Sequence, residues 1–160
     1  MKKHLLQVHP SASTLQKEEQ LAWKLAKVAV DNSSISEDVA DMIINRIIDN
    51  AAVAIASINR PPVINARLQA LAHPRENGAT LFGMPASVKV HAEWATWANS
   101  VAVRELDYHD TFLAADYAHP ADSIPAIIAV AQQKNCNGLD LFMGIAAAYE
   151  VHVALVKGIC

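Results

Sequence analysis

The sequence predicts an all-α fold, a multi-helix bundle with at most one short strand. Three observations lead there. Of the 160 residues 52% are hydrophobic, and much of that fraction is Ala, the best helix former and a residue that lets helices pack closely. The larger apolar residues recur mostly at helical spacings rather than in alternation. Turn-forming stretches such as Asp31-Asn32-Ser33, Arg60-Pro61-Pro62 and His73-Pro74 cut the chain into pieces of helix length.

The same composition excludes other classes. With 18% charged residues, 5 Gly, 7 Pro and 2 Cys, the chain is neither disordered, nor a fibrous repeat, nor a disulfide scaffold. Thirteen Lys and Arg against sixteen Asp and Glu give a net charge of -3, without the positive field a nucleic acid would require. Cys136 and Cys160 are too few for an iron–sulfur cluster, and their scarcity suits a reducing, cytoplasmic setting. The N-terminus starts basic but lacks a continuous apolar stretch. No window reads as a membrane span, so no membrane partner is expected.

Residues 1–15 read as a flexible arm, and residues 16–160 as a helical domain. The first helix is expected over 16–30, with Leu21, Leu25 and Val28 on one face. Ser34-Ile35-Ser36-Glu37 matches a capping box and should start the second. That helix carries Val39, Met42, Ile43, Ile47, Asn50, Val53, Ala54 and Ile58, a stripe wide enough to predict that most of it is buried. A third spans about 63–72. Asn77-Gly78-Ala79-Thr80-Leu81-Phe82-Gly83 is a turn followed by a short β-prone run. A fourth helix covers about 86–103, with His91, Trp94, Ala95 and Ala98 on its apolar side. Ser123 can cap a fifth, with Pro125 in its first turn, and 139–157 make the last.

Chemistry concentrates between the fourth and fifth helices. Residues 104–122 have no helical period and hold four Asp, two His, two Tyr and a Thr, a set able to move protons on a polar substrate. Bland readings compete with that one: Asp107, Asp110 and Asp122 could cap helix ends and turns, and His119-Pro120 could only set the entry of the next helix. A metal site of His109, Asp110 and His119 lacks a further ligand and any helical His pair. A His109-Asp110 dyad of a metal phosphohydrolase, with His91 and Asp140, would need its dyad on a helix. His91, Trp94 and Trp97 read as packing rather than a ligand box, and Tyr149, Glu150 and His152 read equally well as pairing on a buried helix face.

Leu106-Asp107-Tyr108-His109-Asp110-Thr111-Phe112, followed by His119-Pro120 and preceded by the Trp-containing, Ala-rich helix, resembles the MmgE/PrpD family. That family holds 2-methylcitrate dehydratases, cis-aconitate decarboxylases and an iminodisuccinate epimerase. Met42-Ile43-Ile44-Asn45-Arg46-Ile47-Ile48-Asp49-Asn50 and Gly78-Ala79-Thr80-Leu81-Phe82-Gly83 add to the likeness, which runs from about Gln20 to the last residue. The insert Leu113-Ala114-Ala115-Asp116-Tyr117-Ala118 is similar to the dehydratase branch.

The resemblance implies the N-terminal part of the family's helical domain and a hydro-lyase of the propionate-degrading methylcitrate cycle. That enzyme would convert 2-methylcitrate to 2-methyl-cis-aconitate without metal, cluster or other cofactor, commonly as a homodimer. It assigns the catalytic Asp, Thr and His to Asp107, Thr111 and His119. We add His109, Asp110 and Arg104 as neighbours expected to bind the small tricarboxylate. The chain stops on apolar residues in Val153-Ala154-Leu155-Val156-Lys157-Gly158-Ile159-Cys160 and the family is longer, so the expectation is an N-terminal fragment inactive alone. Two rivals are a family member acting on a related carboxylate and a noncatalytic helical module for self-association.

Overall fold

The computed structural model describes residues 9–31 and 34–159. The predicted arm therefore falls partly outside the described residues; within it, a turn closes from Ser13 N–H to the Pro10 carbonyl at 2.9 Å. Six α-helices follow: α1 Leu21–Ala29, preceded by a 3-10 turn Lys17–Glu19, α2 Glu37–Ala56, α3 Pro61–Leu71, α4 Ala92–Arg104, α5 Ile124–Lys134 and α6 Gly138–Ile159. The mostly helical prediction holds, but the strand prediction does not. Instead of at most one strand there are three short ones, β1 Pro74–Ala79, β2 Phe112–Leu113 and β3 Tyr117–Ala118. They are short enough to leave the helical class unchanged.

Helix α4 is the axis of the bundle, because its alanines let neighbours approach. Ala92, Ala95, Ala98 and Ala102 are buried on one stripe against α3, α5 and α2. One core gathers Ala66 and Ala70 of α3 with Leu81, Val90 and Ala129. A second joins Ile43 of α2, Ala121 and Ile124 after the loop that follows α4, and Ile145 of α6. This second core fixes the far end of the loop.

Several sequence expectations shift here. Helix α2 starts at Glu37, two residues beyond the end expected from the capping box: Ser36 is the cap residue, and it makes no side-chain bond to the helix backbone. The Ser36 hydroxyl instead holds the exposed Asp38 carboxyl below its ordinary value. Burial of α2 is confined to Ile43, Asn50, Val53 and Ala54, while Met42, Ile44, Ile48 and Ile55 stay exposed. The reason is that α2 is packed mainly on one side, by α4 and α6.

Pro61 and Pro62 occupy the first turn of α3, where a missing N–H costs nothing, so they start this helix as well as ending the last. Residues 86–91 are not helical. The backbone there runs back along β1, with Arg75 N–H to the Lys89 carbonyl at 3.1 Å and His91 N–H to the His73 carbonyl at 3.1 Å. Val90 bridges both Pro74 and Ala79.

This close pass needs Gly78: a Cβ there would run into the Val90 carbonyl. Gly78→Ala is expected to lower unfolding stability by about 2 kcal/mol, measured by urea titration.

The membrane reading also needs correcting. By length and composition Gly138–Gly158 of α6 passes as a span, with a mean hydropathy of 1.6, because Leu, Val, Ile, Phe and Ala outweigh its few charges. In this fold α6 lies against α1, α2 and α5.

Candidate functional site

The loop from Glu105 to His119 leaves the C-terminus of α4, whose last buried turn, Ala102 and Val103, packs on Ala54 and Val63. It returns into a 3-10 turn, Pro120–Ser123, whose Pro120 and Ala121 are buried. Asn50 of α2 reaches across to donate to the Ala121 carbonyl at 3.2 Å. Both loop ends are therefore seated in core, and the residues between are free to carry polar groups.

The insert seen in the sequence folds as a hairpin. Phe112 pairs with Ala118 and Leu113 with Tyr117. The next position of the same antiparallel ladder is Thr111 opposite His119, and their side chains meet, with Thr111 Oγ1 at 3.5 Å from His119 Nδ1. The eight-residue spacing of that pair is thus a consequence of strand register.

The His119 ring is only 12% exposed and its environment fixes its proton. Nδ1 lies 2.7 Å from the Asp110 backbone carbonyl, which can only accept, so Nδ1 carries the hydrogen. Nε2 faces Asp107 Oδ1 at 3.7 Å and is the nitrogen that bears the lone pair when the ring is neutral. Asp107 also binds Arg104 Nη1 at 2.7 Å. Its backbone has φ 51°, a left-handed conformation uncommon for a residue with a side chain. Such strain is found preferentially at functional sites.

The other two predicted binding residues have different surroundings. Asp110 is committed inward: Oδ1 accepts the Ala121 N–H at 3.0 Å and Oδ2 the Tyr149 hydroxyl at 2.7 Å. Its geometry makes it a clasp between loop and α6 rather than a ligand for substrate. His109 is buried, with Nε2 at 2.7 Å from Asp122 Oδ1. Its ring packs on His119 with centroids 4.8 Å apart and planes tilted by 31°.

Sequence reasoning missed Tyr149 and Asp122 as site residues. Tyr149 was placed near His152, one turn away, with no role singled out, and Asp122 could be read as a cap; nothing in the spacing marks their partners, which lie 39 and 13 residues distant. Burial first, then the Asp110 carboxylate, push the Tyr149 hydroxyl far above its ordinary value. A phenol held this way stabilises the fold wherever free tyrosine is protonated, and the contribution is lost only as pH rises beyond that range. With a 13C-labelled ring, Tyr149 is expected to keep its phenol signal at a pH where an unfolded chain ionises.

Asp107, His109 and His119 offer donor atoms within 4.8 Å of one another, near enough to share a cation. Asp110, expected among such ligands, is replaced by Asp107 because its own oxygens are occupied. The dyad alternative does not assemble: Asp140 binds Asn137 at the start of α6, and His91 caps α4 beside Arg75.

The cluster opens to solvent at Asp107 and Thr111, whereas an apolar groove of about 530 Å³ lies elsewhere, between α1, α5 and α6. Its arrangement suits proton transfer on a polar molecule: a lone-pair imidazole nitrogen, a carboxylate, a hydroxyl and the guanidinium of Arg104. Compared with known families, residues 19–160 match the model of the MmgE/PrpD N-terminal domain.

Proposed function

The chain belongs to the MmgE/PrpD family, whose members are generally lyases, and from that premise we propose that it serves as a 2-methylcitrate dehydratase. The observation that carries the reading is the convergence of Asp107, Thr111 and His119, with His119 Nε2 facing the exposed Asp107 carboxylate.

In the proposed reaction the C–H bond on the methyl-bearing carbon breaks and its proton passes to His119 Nε2. The electron pair forms the new C=C bond, the C–O bond on the next carbon breaks, and the hydroxyl leaves as water with the proton that His119 Nε2 gives back. Asp107 faces the charge that the imidazole acquires. Thr111 can hydrogen-bond the departing hydroxyl or a carboxylate of the substrate.

A tricarboxylate calls for cations. Arg104 supplies a planar set of donors beside Asp107, and Lys157 Nζ stands 5.3 Å from the Phe112 ring, next to the hairpin. In this reading the site needs no resident metal, and the enzyme works in the cytoplasm, within propionate breakdown. A substrate panel offered to the full-length protein tests the assignment. We expect 2-methylcitrate to give a conjugated alkene by ultraviolet absorbance; release of CO2 from cis-aconitate with no dehydration would instead favour a decarboxylase.

A homodimer is part of the proposal, and it also bears on the reading as a self-association module. Ile44, Ile48 and Ile55 are 43%, 60% and 50% exposed and form one ridge along α2, the kind of apolar strip a second copy would cover. Ile48→Asp is expected to turn a dimer into a monomer in sedimentation, with the helical signal retained.

A further inference from the structure

We infer that Asp122 is a positioning residue for His119 and acts on it through His109. The inference rests on the reading of His119 as the group that takes the proton, and it concerns what holds that ring in place. His109 is an unusual wall. Its side chain is fully buried while Tyr108 beside it is 81% exposed, and its Nδ1 has no hydrogen-bond partner among the described residues. An apolar ring would fill the same space without leaving a buried nitrogen unsatisfied. What an imidazole offers and a phenyl does not is the Nε2–H given to Asp122 at 2.7 Å.

That bond explains how His119 is clamped. A carboxylate only accepts, so Asp122 fixes His109 in the Nε2–H tautomer and holds its plane. The His109 and His119 ring centroids lie 4.8 Å apart with planes tilted by 31°, while Tyr117 meets His119 edge-on with centroids 5.9 Å apart. On the rim the Asp110 carbonyl takes Nδ1–H at 2.7 Å.

Rotation of His119 away from that carbonyl would have to displace His109, and Asp122 resists the displacement. The anchor is local: Asp122 N–H donates to the His119 carbonyl at 3.0 Å within the same 3-10 turn, so imidazole, wall and anchor move as one unit. The Asp122 carboxylate is 44% exposed, which makes its substitution a mild one for folding.

The test reads imidazole tautomers by 15N correlation spectroscopy on the isotopically labelled chain, which requires no substrate. Wild type is expected to show His109 protonated at Nε2 and His119 at Nδ1. Asp122→Ala should release both rings into mixed tautomers, and in the full-length protein kcat should fall about 10²-fold with KM nearly unchanged, as for a misplaced catalytic group. Asp122→Asn, whose amide oxygen can still accept Nε2–H, should restore most of the His119 pattern and most of kcat.

His109→Gln is the second variant: it keeps a donor for Asp122 but removes the wall, and should free His119 at a near wild-type melting temperature. If His119 keeps a single Nδ1–H tautomer in both Asp122→Ala and His109→Gln, the inference is overturned. Freed His119 rings in a protein that does not dehydrate 2-methylcitrate would overturn the dehydratase reading alone. Dehydration with an unmoved His119 would overturn the positioning role alone.

Discussion

Asp110→Ala is expected to lower unfolding stability by about 4 kcal/mol, the largest loss from any single substitution in the loop. The carboxylate satisfies two donors, the Ala121 N–H at 3.0 Å and the Tyr149 hydroxyl at 2.7 Å. Ala121 is fully buried, and Tyr149 is held as a neutral phenol by burial and by this same carboxylate. Leaving a buried donor unpaired costs about 1–3 kcal/mol each, and both are stranded together here. Urea titration of wild type and variant measures the difference. Tyr149→Phe removes donor and hydroxyl at once, so it should cost clearly less than Asp110→Ala. Equal losses would show that the Ala121 bond contributes nothing.

The clasp matters for chemistry as well as stability. The Asp110 carbonyl takes the His119 Nδ1 proton while the Asp110 side chain ties the loop to α6, so one residue links the fold to the ring that would do the work. A variant that loosens it should lose activity along with stability.

His119→Ala carries the other large effect. In the full-length protein it is expected to lower kcat for dehydration by about 10³-fold, within the range contributed by a positioned acid–base group. The melting temperature should change little, because the ring is held by the loop rather than supporting a core. Thr111→Val keeps the shape and β-propensity of the ladder position but removes the hydroxyl; a smaller drop, about 10-fold, is expected. Steady-state rates beside melting curves separate these effects from unfolding.

How much of this could be read from the residues depends on how local the cause is. The helices were legible because their signals sit within a few positions: Pro61-Pro62, Pro125, and alanines three and four apart in α4. Where long-range contact decided, the reading missed. The backbone of 86–91 favours pairing with β1 over continuing a helix, a choice made by Gly78 and Val90 across twelve residues. The exposed isoleucines of α2 look like core in sequence, because periodicity reports which face is apolar and not whether anything covers it.

The site divides in the same way. Asp107, Thr111 and His119 were singled out by their motif and lie near one another in the structure, and a hairpin of fixed register explains why two of them meet. The same pattern that singled out Asp110 as a substrate ligand could not show that its oxygens already had partners, nor that Tyr149 and Asp122 would be among those holding the loop.

Proton abstraction at one carbon and loss of hydroxyl from the next is the central claim, and proton NMR of 2-methylcitrate follows it directly. With the full-length wild-type protein, the substrate's methyl doublet is predicted to collapse to a singlet as the neighbouring C–H bond breaks, and His119→Ala should leave the doublet intact over the same time. A doublet that persists with wild type, or collapses equally fast with His119→Ala, would contradict the account.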